Sequence, residues 1–200
     1  MIQLTEDGLS TVGEIKSVYN GWEYPSNWLT ECFCLESPKL IRRGDYFYLI
    51  SAQGGTAGPP TSHMAVAARS KSVFGPWENS PYNPIVHTYN FAEKWWSKGH
   101  ASLVDTPDGE WYFIYHTFLN GFHTLGRMDL MEPVEWTADG WFKIKEGSDP
   151  AKPIKMPVAS GKKTQPWPEN IQGFNGYDWH AFDGFEADRY KMSATDLMIK

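Results

Sequence analysis

The sequence predicts an all-β protein folded as a partial β-propeller of about two and a half blades, and three observations point there. Phe, Trp and Tyr make up 16 % of the 200 residues, beside 18 Gly and 14 Pro, a composition that suits short strands joined by many turns. A run of glycine, an acid and five aromatic or aliphatic residues occurs twice, 65 positions apart, as Gly44-Asp45-Tyr46-Phe47-Tyr48-Leu49-Ile50 and Gly109-Glu110-Trp111-Tyr112-Phe113-Ile114-Tyr115. A fixed period of tens of residues marks a repeat architecture. A second echo, Leu4-Thr5-Glu6-Asp7-Gly8-Leu9 against Trp136-Thr137-Ala138-Asp139-Gly140-Trp141, lies two such periods apart, at an offset of 132.

Taken in chain order, residues 4–9 read as the outermost hairpin of a blade whose earlier strands are absent. The first full blade opens with a strand at 38–42, turns at Arg43-Gly44, and continues through strands at 44–50 and 63–70 to a turn at Phe74-Gly75-Pro76 and an outer segment around Trp77. The second repeats the plan with 101–105, a turn at Thr106-Pro107-Asp108-Gly109, then 109–115, 125–130 and 134–144. Four strands per period is the anatomy of a propeller blade; chance similarity among the strands of an ordinary sandwich is the alternative. Residues 1–145 are therefore expected to form the propeller part and 146–180 a linker, where Pro150, Pro153, Pro157, Pro166 and Pro168 punctuate the chain. Residues 181–200, with Phe182-Asp183-Gly184-Phe185 and Asp196-Leu197-Met198-Ile199-Lys200, read as the first strands of another β unit.

With 18 Lys+Arg against 24 Asp+Glu, the net charge of −6 argues against nucleic acid as a partner. No apolar run approaches the roughly 20 residues of a membrane-spanning helix, so no membrane partner is expected. The opening residues carry no basic segment followed by an apolar one, hence no visible secretory signal, and the compartment stays unassigned. Cys32 and Cys34 are the only cysteines. One intervening residue makes a mutual disulfide sterically poor, and two thiols cannot complete a zinc site, so both are expected as buried free thiols.

Aligning the two hairpins puts Glu36 and His100 in one place, eight and nine residues before the shared glycine. The first strand of a propeller blade lines the central channel, so both side chains are expected to enter one axial cavity. A carboxyl and an imidazole there, with aromatics nearby, suit acid and base work on a polar ring. Taken singly, Glu36 reads as a solvated strand-end acid and His100 as a hydrogen-bonded structural residue.

At this point the sequence resembles glycoside hydrolase family 43, five-bladed β-propellers that include β-xylosidases and α-L-arabinofuranosidases. The likeness rests on Leu35-Glu36-Ser37-Pro38-Lys39-Leu40 with Gly44-Asp45-Tyr46-Phe47-Tyr48-Leu49, then Gly54-Gly55-Thr56, Val66-Ala67-Ala68-Arg69-Ser70 with Gly75-Pro76-Trp77-Glu78, Lys98-Gly99-His100-Ala101, and Leu125-Gly126-Arg127 with Glu132-Pro133-Val134-Glu135-Trp136. It covers roughly residues 1–145 and is more specific for the family than for the sugar. The resemblance implies an inverting hydrolase of O-glycosidic bonds in xylan- or arabinan-type oligosaccharides or polysaccharides. Glu36 would be its general acid, Arg127 would reach the substrate, and His100 would help hold an axial calcium ion, chiefly through water. No organic cofactor is implied. The family's base aspartate and its second, pKa-tuning aspartate have no counterpart here, because that N-terminal part precedes the point where the chain begins. The tail is similar to the start of the β-sandwich that follows the propeller in many members. The chain is thus expected to be a fragment, cut at both ends, lacking N-terminal blades and inactive alone. The alternatives are a non-catalytic carbohydrate-binding or scaffold propeller, and a propeller enzyme of another sugar class such as a fructan hydrolase.

Other candidates are secondary. His63 is read as pocket-facing or structural, and Trp96, with Trp95, as a sugar-stacking platform or as core. Asp7, Asp108 and Asp139 sit beside glycines and read as turn formers. His116 and His123 flank a loop read as bordering the pocket, and show no spacing that argues for metal.

Overall fold

A computed structural model describes residues 1–155, 157, 190–192 and 197–199. The chain divides into two compact units, Met1–Val158 and Ala159–Lys200. Among the described residues the regular structure is all strand, apart from one 3-10 turn at His123–Leu125.

The first unit opens with a hairpin of β1 (Gln3–Leu4) and β2 (Thr11–Val12). A sheet follows in the order β3 (Glu36–Arg43), β4 (Tyr46–Gln53), β5 (Met64–Ser70) and β6 (Glu78–Asn79), with β7 (Val86–His87) also paired to β5. A second sheet repeats that order with β8 (Trp95–Asp105), β9 (Trp111–Leu119), β10 (Met128–Trp136) and β11 (Phe142–Ile144). All these pairings are antiparallel. One outer hairpin and two meandering sheets make about two and a half propeller blades, as the repeat predicts.

β3, β4, β8, β9 and β10 are longer than the sequence patterns suggest, and β8 gains most, beginning at Trp95 rather than Ala101, while β5 matches its expected span to within one residue. At the outer edge, the predicted segment 134–144 is split. Val134–Trp136 completes β10, the chain turns through Thr137–Gly140, and β11 runs from Phe142. That turn is one of a set. In Thr106-Pro107-Asp108-Gly109 and Thr137-Ala138-Asp139-Gly140 the threonine hydroxyl donates to the aspartate carboxylate and accepts the amide of the residue after the glycine, while the glycine amide donates to the threonine carbonyl. Both glycines sit at positive φ, +84° and +79°. Thr5, Asp7 and Gly8 use the same threonine–aspartate and glycine–threonine bonds with one further residue in the loop. The three aspartates are turn formers, as expected. The hydroxyl of Thr5 holds the Asp7 carboxyl below the usual carboxylate range, and that of Thr137 does the same for Asp139.

The core lies between the two sheets. Tyr48, Ile50, Ala65 and Ala67 of the first face Ala101, Leu103, Phe113 and Tyr115 of the second, with Ile85, Val86, Trp141 and Phe142 closing the cluster. At the outer rim Tyr48 donates its hydroxyl to the Gly140 carbonyl, and the Arg69 guanidinium lies 4.1 Å from the Trp141 ring centre and donates to the Asp139 carbonyl at 2.8 Å. The opposite face of the first sheet is crossed by the segment leading to β3. There the fully buried Gln53 side chain pairs with both backbone polar groups of Trp22, accepting its N–H at 2.9 Å and donating to its carbonyl at 3.0 Å.

Cys32 and Cys34 correct the sequence expectation of buried free thiols. They form a disulfide with Cα atoms 5.3 Å apart, and Cys34 is exposed. The left-handed backbone of Cys34, φ +40°, folds the two cysteines toward each other across the single residue that was expected to keep them apart.

In the second unit, β12 (Tyr190–Met192) and β13 (Leu197–Ile199) pair antiparallel. Of the stretch expected to be a linker, residues 146–155 and 157 carry no strand. The rest of the expected linker, and Phe182–Phe185 of the expected β-sandwich start, lie outside the described residues.

Candidate functional site

β3 and β8 are the edge strands of their sheets, and their entry ends meet. His100 Nδ1 lies 3.5 Å from Glu36 Oε1, with the two side chains 42 % and 52 % exposed. The convergence inferred from the repeat is therefore present in the fold. Bulges aim both residues. The β3–β4 register shifts between Glu36 and Lys39, where Ser37 has φ +55°, and the β8–β9 register shifts on both sides of Gly99, where Ser97 and His100 have φ +52° and +53°. A bulge re-aims a side chain at a sheet edge, and non-glycine residues hold positive φ only where their surroundings impose it.

Beneath His100 lie two more histidines. His63, immediately before β5, has no exposed surface, and its ring stacks on that of His116 of β9 at 4.9 Å between centres; His116 and His100 are 5.5 Å apart. One ring nitrogen from each of the three lies within 4.8 Å of the others. His63 Nδ1 donates to the Ser97 carbonyl at 3.2 Å, while His63 Nε2 and His116 Nδ1 are buried without a hydrogen-bond partner among the described residues. Burial, followed by the nearby His116, His100 and Arg127, pushes His63 down to about 3 against the Ser97 bond. Burial, then Arg127 and His100, pushes His116 down to about 4 against Asp129. Both imidazoles are thus neutral at ordinary pH. Gly99 makes the room, since a Cβ there would lie 2.4 Å from His63 Nδ1.

Arg127, exposed just before β10, reaches across to the first sheet, where its Nη2 donates to Thr56 Oγ1 in the β4–β5 loop at 2.8 Å. Its guanidinium lies 5.9 Å from the Phe118 ring centre. Trp96 is half-buried on β8 opposite Phe118, and its indole nitrogen donates to the Phe91 carbonyl at 3.2 Å. The exposed aromatic surface lies elsewhere, in a hollow of about 280 Å³ lined by Trp28, Leu29, Thr61, His87, Tyr89 and Phe91. There Trp28 stacks on His87 at 4.4 Å, and Tyr89 and Phe91 are 64 % and 54 % exposed. A second, apolar cavity of about 390 Å³ borders Glu36, between Tyr19, Leu35, Pro38, Leu49 and Trp77.

Glu36, His100, His63 and Arg127 are thus gathered around one end of the two sheets, and Trp96 is tied to the loop beside them. Sequence reasoning named His116 only as flanking a loop at the pocket border, without placing it beside His63 and His100, and missed the Arg127–Thr56 bond and the Trp28 hollow. Counting outward from the Gly109 turn places His116 across the hairpin from residues 99–100, a signal that was available. The other two depend on loops with no periodicity.

Calcium does not fit this donor set as a direct ligand. It takes about six to eight oxygens at 2.3–2.6 Å, whereas the groups converging here are imidazole nitrogens and one carboxylate.

The chain matches the Glycosyl hydrolases family 43 profile over residues 1–142. It is 34 % identical over 187 residues to a xylan 1,3-beta-xylosidase of a Vibrio species, covering 85 % of this chain and 32 % of that protein. Over 117 residues it is 41 % identical to the non-reducing end alpha-L-arabinofuranosidase BoGH43B of Bacteroides ovatus, covering 56 % of this chain and 22 % of that one. Among solved structures, the family protein BlXynB of Bacillus licheniformis superposes with a TM-score of 0.62 at 35 % identity, over 72 % of this chain and 26 % of its own. A xylan beta-1,4-xylosidase of Bacillus halodurans gives 0.63 at 32 % identity, over 83 % and 30 %. The chain spans less than a third of the length of each of these relatives.

Proposed function

The chain belongs to glycosyl hydrolase family 43, and from that premise we propose that it carries the acid side of an inverting glycosidase site for xylan- or arabinan-type saccharides, with Glu36 as general acid. The observation that carries this reading is the meeting of Glu36 and His100 at 3.5 Å on the edge strands of neighbouring sheets, beside Arg127. In the proposed reaction Glu36 gives its proton to the departing glycosidic oxygen and is left as a carboxylate. A base on another blade takes a proton from the water that attacks the anomeric carbon from the opposite face. The two carboxyls stand about 6.5–9.5 Å apart to admit that water. Arg127, steadied by Thr56, donates hydrogen bonds to sugar hydroxyls. The Trp28 hollow offers apolar ring faces for a neighbouring sugar.

The test places Glu36→Gln in a propeller completed by the blades that carry the base. Hydrolysis of alkyl glycosides and oligosaccharides should fall by about 10²–10⁴, the usual worth of general-acid assistance, while aryl glycosides with good leaving groups lose far less. Equal losses on both substrate types would mean that Glu36 only binds, which favours the non-catalytic carbohydrate-binding propeller.

A further inference from the structure

We infer that Glu31 is a positioning residue, whose carboxylate clamps the β4–β5 loop so that Thr56 presents Arg127 to the sugar. Glu31 Oε2 accepts the N–H groups of Ala57 and Gly58 at 2.9 and 2.8 Å. The residue just before them, Thr56, accepts Nη2 of Arg127 at 2.8 Å. Among the described residues Glu31 forms no ion pair, so its acceptor capacity goes to those two amides.

Two glycines open the loop to the carboxylate. A Cβ at Gly55 would lie 2.4 Å from Glu31 Oε2, and one at Gly58 would lie 2.5 Å from Glu31 Cβ, so a side chain at either place would displace Glu31. Gly55 also holds φ +72°, a backbone that favours glycine. The ends of the loop are tied to the same segment that carries the carboxylate. The Glu31 N–H donates to the buried Ser62 hydroxyl at 2.7 Å, and that hydroxyl donates to the Gly54 carbonyl. The Gly54 N–H in turn donates to the Phe33 carbonyl at 3.0 Å. Residues 31–33 thus hold Gly54 and Ser62 through the backbone, and the Glu31 side chain takes up the stretch between them.

Arg127 depends on this support because nothing else fixes it. Among the described residues its guanidinium forms no salt bridge, and its one hydrogen bond goes to Thr56. A long side chain left free must be ordered when a ligand binds, so a partner that is already ordered lowers that cost. A carboxylate makes charge-assisted bonds to backbone N–H groups, stronger than neutral ones, which suits it to the task. That the relay serves a sugar rests on the glycosidase reading; that Glu31 orders Thr56 and Arg127 does not.

The first readout needs no turnover, so its failure is distinct from failure of the glycosidase reading. In the 200-residue chain, Glu31→Ala should speed amide exchange at Ala57 and Gly58 about tenfold, the worth of a charge-assisted hydrogen bond. Nitrogen-15 relaxation should show the Arg127 Nε–H group becoming more mobile, while the Ile50 amide of β4 keeps its protection and so reports an intact fold. Glu31→Gln, which keeps an oxygen acceptor, should restore most of both effects. With Thr56→Val already in place, Glu31→Ala should add nothing to the Arg127 mobility, because the two act in series. In the completed propeller, Glu31→Ala should raise KM by up to about fivefold, the worth of the Thr56 bond, and keep the leaving-group dependence of kcat. Unchanged exchange at Ala57 and Gly58, a loosened loop with Arg127 no more mobile, an effect that adds to that of Thr56→Val, or an active enzyme whose KM does not move would each overturn the assignment.

Discussion

Arg127 is held in place by one neutral partner. Its Nη2 bond to Thr56 joins the second sheet to the β4–β5 loop of the first, so the hydroxyl decides where the guanidinium points. Removing it as Thr56→Val leaves Arg127 charged but free to swing. Because the pair is exposed, the loss is a modest one, about 1 kcal/mol or roughly fivefold, the net worth of a typical hydrogen bond. In a completed enzyme this should appear in KM for a xyloside or arabinofuranoside while the leaving-group dependence of kcat is kept. A collapse of kcat with KM unchanged would instead assign Thr56 to the chemical step. Glu36 and His100 were legible in the sequence because both stand at a fixed distance from a repeated glycine. The place of His116 across from residues 99–100 was legible in the same way, but its stack on His63 was not, since that depends on the two sheets packing face to face and no linear spacing encodes it.

The approach to β3 depends on one buried side chain. Gln53, the last residue of β4, satisfies both the N–H and the C=O of Trp22, and so pins the segment that leads to Glu36. Gln53→Leu keeps roughly the volume and strips both bonds, leaving two backbone groups unpaired at about 1–3 kcal/mol each. Chemical denaturation should show a loss of that order, and native-state hydrogen exchange should show the Trp22 amide opening well before the amides of β4. Equal protection at both sites would show that the segment is held by its aromatic contacts alone. The strands themselves were readable from the hairpins at Gly44 and Gly109. The added length of β8 was not, because Trp95–His100 carries bulges that break the period-two pattern and are stabilised only by pairing with β9. The Cys32–Cys34 pair escaped for a related reason, since it requires a left-handed residue that sequence spacing does not reveal.

Across the first unit, two sheets share one core, centred on the fully buried Phe113, and present Glu36, His100 and Arg127 at one end. The proposed inversion requires a second carboxyl on the far side of the sugar ring, and the proposal places that base on another blade. The purified 200-residue chain is therefore expected to give no turnover of aryl xylosides or arabinofuranosides. Turnover that vanishes in Glu36→Ala would reveal a base among its own residues. The outer turns carry a different consequence. Thr106-Pro107-Asp108-Gly109 and Thr137-Ala138-Asp139-Gly140 share one bonding scheme and differ in a single residue, so they are interchangeable parts. One of them already accepts proline where the other has alanine, and the Ala138 amide makes no backbone hydrogen bond among the described residues. Proline there restricts the unfolded chain and asks nothing new of the folded one. Ala138→Pro should accordingly raise stability by about 0.4–1 kcal/mol, read as a higher denaturation midpoint at unchanged slope. A grammar in which rim turns can be traded between blades means that this fold can be stabilised by copying from itself.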